Sequence, residues 1–309
     1  KNGQASVDNL YLGDYFVKEI SPSVGYLADE NEYDLVCNYE GDLVAEVKRD
    51  CTSLEQVIKQ PFQIIKAANN GKTDADLLAG AGFSAYLESS LTKKADGSYD
   101  FDSATPVVIG ENGATEIFTD EKGYACSIAL PYGIYIVRET TTPHNYTPVD
   151  DFTVRITENH PNTPQTWRVL LDDEFEAKLK IIKQDDETKK PVLQKNTEFK
   201  IYDLDNKKYV EQVTTYPTKV KHKSYFTDEQ GYLILPQNLK IGKYRIEEVN
   251  APFGYTLNEN YYEVTVDSNT AYQMEGTSGD VIIEVIYENH PVKGELTIVK
   301  KGEVLDGFE

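Results

Sequence analysis

The sequence predicts an all-β protein, a row of tandem β-sandwiches, and three observations carry that reading. The 22 Tyr and 11 Phe stand against one Met and one Trp, a composition that suits pleated strands better than amphipathic helices. Short stretches of alternating apolar and polar residues are divided by turn signals such as Asp120-Glu121-Lys122-Gly123 and Asp228-Glu229-Gln230-Gly231. The pattern also repeats: PFQIIKAAN, LKIIKQDD and LTIVKKGE place Lys66, Lys183 and Lys300 at equal steps of 117 residues, the mark of a modular array.

A second motif also recurs three times, following the Lys66 and Lys183 segments at a matching offset and standing first in the chain without one. KNGQASVDNLYLGDYFVKEISPSVGY, EKGYACSIALPYGIYIVRETTTPHNY and EQGYLILPQNLKIGKYRIEEVNAPFGY each read as turn glycine, strand, glycine, an aromatic strand ending in glutamate, a proline turn and a tyrosine. The glutamates are Glu19, Glu139 and Glu248, each seven residues before Tyr26, Tyr146 or Tyr255. The chain therefore parses as the back half of one module (1–58), two full modules (59–175 and 176–292) and the opening strand of another (293–309). A full module of about 115 residues with many short strands is the size of a β-sandwich. Segment 52–60, TSLEQVIKQ, reads equally as a short helix or an irregular linker. The chain begins and stops in mid-pattern with no sorting signal, as a window of something longer would.

Composition removes several classes of function. Lys and Arg number 31 against 52 Asp and Glu, a net charge of −21 spread along the chain, which repels nucleic acid and anionic lipid. No run approaches the ~18 to 20 apolar residues of a membrane span. Cys37, Cys51 and Cys126 have neither metal-ligand spacing nor a disulfide framework. Cys37 and Cys126 keep the alternation phase of their apolar neighbours and read as buried, inert thiols.

Alternation also assigns direction to the repeated charges, because residues two apart on a half-buried strand share a face. Lys66 is in phase with Phe62 and Ile64, Lys183 with Leu179 and Ile181, and Lys300 with Leu296 and Ile298. Glu139 follows Tyr135 and Val137, Glu248 follows Tyr244 and Ile246, and Glu19 follows Tyr15 and Val17. All point inward. Buried unpaired charges cost several kcal/mol, so lysine and glutamate must meet as an ion pair, neutralise, or react. In DVIIEVIYENHP, Asn289 shares the phase of Ile283, Val285 and Tyr287, adding an amide to that interior. Burial disfavours charge on both lysine and glutamate and permits a neutral amine beside a protonated acid. The Lys183 amine can then attack the Asn289 side-chain carbonyl while Glu248 polarises it and moves protons, giving an internal amide with loss of ammonia.

The frame LKIIKQDDETKKPV, NTEFKIYD, FTDEQGY, GKYRIEEVNAPFGY and VIYENHP resembles the Cna B-type, or SpaA-like, repeat of Gram-positive pilins and surface adhesins. The resemblance covers 176–292, most of 59–175 and the back half of a module in 1–58. It implies an Ig-like, prealbumin-like sandwich, and an isopeptide bond from a first-strand lysine to a last-strand Asn or Asp with a catalytic Glu. Those roles fall on Lys183, Asn289 and Glu248. In the first full module they fall on Lys66 and Glu139, with the acceptor to be chosen by phase. Asn159 of ENHP lies out of phase with Val154 and Ile156; in TWRVLLDDE, Asp173 is in phase with Trp167, Val169 and Leu171 and is the expected acceptor, with Asp172 second. Glu19 has no lysine donor within the chain.

The remaining motifs are weaker. His144, His160, His222 and His290 sit singly in turns, no triad order emerges, and the clusters Asp185-Asp186-Glu187 and Asp172-Asp173-Glu174 lack calcium-loop spacing; neither metal nor cofactor is assigned. TTYPTK, with Lys219, only faintly matches the lysine motif of polymerising pilins, and Cys51 with Gln56 lacks the surroundings of a thioester domain. The expectation is a non-enzymatic stalk or adhesin segment whose only chemistry is self-crosslinking. The resemblance places it outside the cell, on the wall of a Gram-positive bacterium, joined to further modules of a longer chain. The alternative is a binding module that contacts a host matrix protein, glycan or immunoglobulin through the long loops 89–115 and 205–225.

Overall fold

The structure is a computed structural model that describes residues 3–72, 76–275 and 279–302. The chain divides into two compact units, one of residues Lys1–Pro143 with Thr147–Asp173 and one of His144–Tyr146 with Glu174–Glu309. Among the described residues both units are all-β, apart from single turns of 3₁₀ helix at Glu88–Ser90 and Glu111–Gly113 in the first.

In the first unit, a four-stranded antiparallel sheet runs Glu116–Phe118, Gly82–Leu87, Gly133–Thr141 and Phe152–Ile156. A three-stranded sheet of Tyr124–Cys126, Gln63–Ala68 and Arg168–Asp172 faces it. Phe62 and Ile64 from one side meet Phe83, Val137, Val154 and Ile156 from the other in one buried cluster, the interdigitation that holds a sandwich together. The second unit repeats the plan. Glu176–Asp185 lies between Tyr232–Ile234 and Asp280–Asn289, and Gln273–Glu275 adds an outer strand. The opposite sheet centres on Glu198–Asp203 and Gly242–Asn250, and Leu179, Ile181, Phe199, Ile246 and Tyr287 fill the space between.

The lysine-bearing strand lies beside the last strand in both sandwiches, and the pair is parallel: Lys66 stands opposite Leu170 and Lys183 opposite Tyr287. The turn motif fixes that strand's backbone. Gly123 and Gly231 take positive φ and their carbonyls accept the N–H groups of Lys66 and Lys183 at 2.7 and 2.9 Å. A Cβ would lie 2.3 Å from the Lys66 carbonyl oxygen at Gly123 and 1.9 Å from that of Val192 at Gly231, so the repeated glycine answers to both conformation and space.

Elsewhere the first unit holds the leading segment as small strand pairs, Gly13–Lys18 with Glu32–Cys37 and Tyr26–Leu27 with Gln56–Val57. Segment 52–60 is neither helix nor plain linker, since Gln56–Val57 and Lys59–Gln60 pair as strands. Residues 292–302 form no strand, and Leu296, Ile298 and Lys300 are exposed instead of facing a core, because one strand without partners has no surface on which to bury its apolar side. Residues 303–309 of that segment lie outside the described residues. Cys126 also departs from expectation: Ala125 faces the core and Cys126 lies half-exposed on the outer side.

Candidate functional site

Each sandwich encloses one lysine among acids or amides. In the second unit Lys183 is fully buried and its Nζ donates to Glu248 Oε1 at 2.9 Å. Glu248 Oε2 accepts Asn289 Nδ2 at 2.6 Å, so one carboxylate spans amine and amide. Nδ2 also donates to the Thr256 carbonyl at 2.7 Å, while Asn289 Oδ1 is buried without a partner. Burial lowers the Lys183 pKa to about 8, against the pull of Glu248, so a neutral amine is accessible near physiological pH. The rings of Tyr287 and Phe199 lie 4.6 and 5.5 Å from Nζ, giving the ammonium form some cation–π support.

In the first unit Lys66 Nζ donates to Glu139 Oε2 at 2.7 Å and to Asp172 Oδ1, and all three side chains are fully buried. Phe83 lies beneath the amine at 5.5 Å. Two carboxylates and one ammonium, all ionised, would leave a net buried negative charge. Desolvation accordingly raises the Asp172 pKa to about 6; Lys66 opposes the rise and Glu139 adds to it. Asp172 Oδ2 and Glu139 Oε1 are buried without hydrogen-bond partners, and a proton on Asp172 would relieve the excess negative charge.

The backbone aims the glutamates in the same way in both sandwiches. Glu139 stands opposite Phe83 and Glu248 opposite Phe199, with a register shift directly afterwards, before Thr141 and Asn250. Such bulges re-aim side chains beside reactive sites. Each glutamate also accepts a backbone N–H ten residues on, Val149 to Glu139 Oε2 at 3.0 Å and Asn258 to Glu248 Oε2 at 2.9 Å.

Asp173 is a correction. It is exposed and accepts Asn69 Nδ2 at 2.6 Å, while Asp172 takes the interior place. The apolar majority of TWRVLLDDE misleads because Arg168–Asp172 is an edge strand of its sheet. Trp167, Val169 and Leu171 lie on its outer side, 63%, 63% and 47% exposed, whereas Leu170 and Asp172 point in. The signal that finds Asp172 is the repeat itself: one step of 117 residues carries Asp172 onto Asn289, whereas it carries Asp173 onto His290. Asn159 is also outside the cluster, accepting the Lys59 N–H at 3.0 Å. The aromatic rings and the N–H groups of Val149 and Asn258 carry no residue-type signal that sequence reasoning can use.

Other candidates are dispersed. Asp185 caps its turn by accepting the N–H groups of Glu187 and Thr188. Asp186, Glu187 and His290 come within 4.8 Å of one another, and Lys293 Nζ lies 2.5 Å from Glu187, already supplying a cation. Lys219 and Cys51 are exposed.

Two buried lysine clusters at repeat positions of two sandwiches agree with the match of residues 61–168 and 177–279 to the family model described as SpaA, prealbumin-like fold domain. The chain belongs to that family. It is a tandem-repeat segment of an extracellular, cell-wall-associated surface protein of the pilin and adhesin type. It is similar to a Staphylococcus aureus protein named collagen adhesin, 30% identical over 240 residues that are 73% of this chain and 18% of that protein. Among solved structures, the Bacillus anthracis TIE protein is 28% identical over 91% of this chain and 42% of its own, with a TM-score of 0.38. The shaft pilin SpaA of Lactobacillus rhamnosus GG is 17% identical over 77% of this chain and 100% of its own, with a TM-score of 0.31. No helix among the described residues is long and apolar enough to cross a membrane.

Proposed function

We propose that this chain is a load-bearing stalk segment in which each full sandwich locks itself with one amide between its first and last strands. Lys183 joins Asn289 with Glu248 as catalyst, and Lys66 joins Asp172 with Glu139 as catalyst. The observation that carries the reading is the span of Glu248 from Lys183 Nζ to Asn289 Nδ2. A carboxylate so placed takes a proton from the attacking amine at Oε1 and delivers one to the departing nitrogen from Oε2. The new bond joins Nζ to the Asn289 side-chain carbonyl carbon, the C–Nδ2 bond breaks, and ammonia leaves. At Asp172 the same attack breaks a C–O bond, and the proton on Asp172 leaves in water.

The parallel neighbours explain what such a bond does. Tension that enters at one terminus and leaves at the other shears the first strand against the last, and a covalent bridge there carries the load. Intact mass of the purified chain tests the chemistry: one ammonia and one water should be missing, Glu248→Ala should restore the first and Glu139→Ala the second. A wild-type mass equal to that of the sequence refutes the proposal.

A second reading, attachment to a host matrix protein, draws on the similarity to the collagen adhesin and on the long loops, which fold into their own strand pairs, Thr92–Lys93 with Tyr99–Asp100 and Gln212–Thr214 with Val220–His222. Retention on immobilised collagen, abolished by replacing either loop with a short turn, would support it; no retention removes collagen as the ligand.

A further inference from the structure

The second sandwich carries a basic hairpin on an acidic chain. From Lys207 to Lys223 stand five lysines and one acid, Glu211, a net charge of +4 where the whole chain has −21. Within this stretch Gln212–Thr214 and Val220–His222 pair as antiparallel strands. Lys219, Lys221 and Lys223 alternate along the second strand and its two flanks, so they emerge from one face, and all three are exposed. The other face is fastened to the sandwich. Gln212 is buried; its side chain donates to the Gln237 carbonyl at 2.9 Å and accepts the Gln237 N–H at 3.1 Å. His222 Nε2 meets Thr214 Oγ1 at 3.0 Å. A held hairpin therefore presents the lysines.

Their charge is only partly balanced from within. Glu211 lies 2.5 Å from Lys221 and 3.9 Å from Lys223, one carboxylate for two ammonium groups. Among the described residues Lys219 meets no carboxylate. At the tip, Tyr216 is 89% exposed. The fold itself does not require this charge. In the first sandwich the equivalent strands, Gly82–Leu87 and Glu116–Phe118, are also joined through a hairpin, Thr92–Lys93 with Tyr99–Asp100. There Lys93 and Lys94 are outnumbered by Asp96, Asp100, Asp102 and Glu111. The same place in the fold has the opposite sign, so the lysines belong to one loop's own sequence.

We propose that this hairpin binds a linear sulfated polysaccharide. Three ammonium groups at steps of about 6.5 to 7 Å along one strand set positive charge on a line, as such a polymer sets its sulfates. Tyr216 adds a ring with an apolar face, which suits the C–H face of a pyranose. The patch is one strand wide and belongs to a strongly negative chain, which favours a thin polyanion over a flat membrane or a duplex. A wall-associated protein of the adhesin type meets polysaccharides outside the cell, whereas the anionic leaflet of a membrane faces the cytoplasm. Recognition is by ion pairing with release of counterions, and no covalent step is involved. The site lies apart from the buried lysine clusters and stands or falls independently of amide formation and of collagen attachment.

The test measures the affinity of the full chain for heparin at 0.05 and 0.2 M salt. Three contacts to a linear polyanion, each releasing about 0.7 of a counterion, should make the affinity fall roughly twentyfold between the two. Changing Lys219, Lys221 and Lys223 together to Ala should weaken binding at 0.05 M salt by about tenfold or more and flatten the salt dependence. The same three changed to Arg should keep both, and Glu211→Gln, which removes the competing acid, should tighten binding by about twofold. Changing Lys94, Lys122 and Lys195 to Ala alters net charge equally and should leave binding as it was. Desulfated heparin should bind about tenfold more weakly than heparin. The proposal is overturned by undetectable binding to heparin at 0.05 M salt, or by equal losses in the two triple Ala variants. Equal affinity for desulfated heparin, or tighter binding of polyglutamate or duplex DNA, overturns it as well.

Discussion

The two complete sandwiches place a lysine, a glutamate and an acceptor at matched positions yet balance charge differently. Around Lys183 one ammonium meets one carboxylate, and the acceptor is a neutral amide. Around Lys66 one ammonium meets two acids. The amide site is electrically complete as it stands and requires only that its amine shed a proton. The acid site balances only when Asp172 keeps a proton, the direction in which burial moves its pKa. In the proposed amide formation the same fold would therefore use either acceptor, with a different group's protonation governing each site.

The largest expected effect tests whether the two bonds are equivalent. Lys66 and Asp172 are 106 residues apart, as are Lys183 and Asn289. By analogy with disulfide loop closure, each bond should stabilise its module by about 4 to 5 kcal/mol. Asn289→Ala and Asp172→Ala remove the bond and leave the lysine paired with its glutamate, so thermal unfolding should show similar losses in the two modules. Lys183→Ala should cost more, because it also strands Glu248 in the core without a counter-charge. Losses under about 1 kcal/mol would mean that no bond had formed.

The next test is pH, where the two sites should move in opposite directions. Asp172 must be protonated to leave as water, and its pKa is raised to about 6; closure in the first module should be fast below that pH and slow as pH rises through it. Lys183 must be neutral to attack, and its pKa is lowered to about 8; closure in the second module should be fast above that pH and slow as pH falls through it. Chain purified unfolded and then refolded at pH 5.5 or 7.5 should differ in its water-loss rate by roughly twenty-fold, from the protonated fraction of an acid with pKa about 6. The ammonia-loss rate should change in the other sense. Asp172→Asn should lose ammonia instead of water and give up the acid preference, whereas Asp173→Ala should leave the loss of one water from its own sequence mass, and the rate of that loss, unchanged.

How far the sequence could be read follows from which residues had periodicity behind them. The inward direction of Lys66, Lys183, Glu139, Glu248 and Asn289 is legible because each shares the phase of buried apolar neighbours two and four residues away, most cleanly on Glu176–Asp185 and Gly242–Asn250. Local phase picks Asp173 over Asp172 because Arg168–Asp172 has only five residues and carries its larger apolar side chains on the outer face, so local phase and the 117-residue register disagree and the longer-range signal is the sounder one.

The smallest expected effect concerns the outer faces of the two parallel pairs. On the second sandwich Lys180 stands directly opposite Glu284, with Nζ and Oε1 2.6 Å apart, and Lys178 meets Asp280 at 2.7 Å. One repeat earlier, the positions of Lys180 and Glu284 hold Gln63 and Trp167, so the first sandwich has no ion pair there and exposes an indole instead. If surface charge were what ties first strand to last, the second module should be distinctly the more stable once both amides are removed. Partly exposed pairs contribute about 0 to 1 kcal/mol, because water screens the attraction and two long side chains must be held still. Glu284→Gln in the Asn289→Ala background should therefore lower stability by about 0.5 kcal/mol, and the difference should shrink on going from 0.05 to about 1 M salt as the screening length falls. A loss of several kcal/mol, or one indifferent to salt, would show that the outer pair shares the mechanical role here assigned to the buried amide.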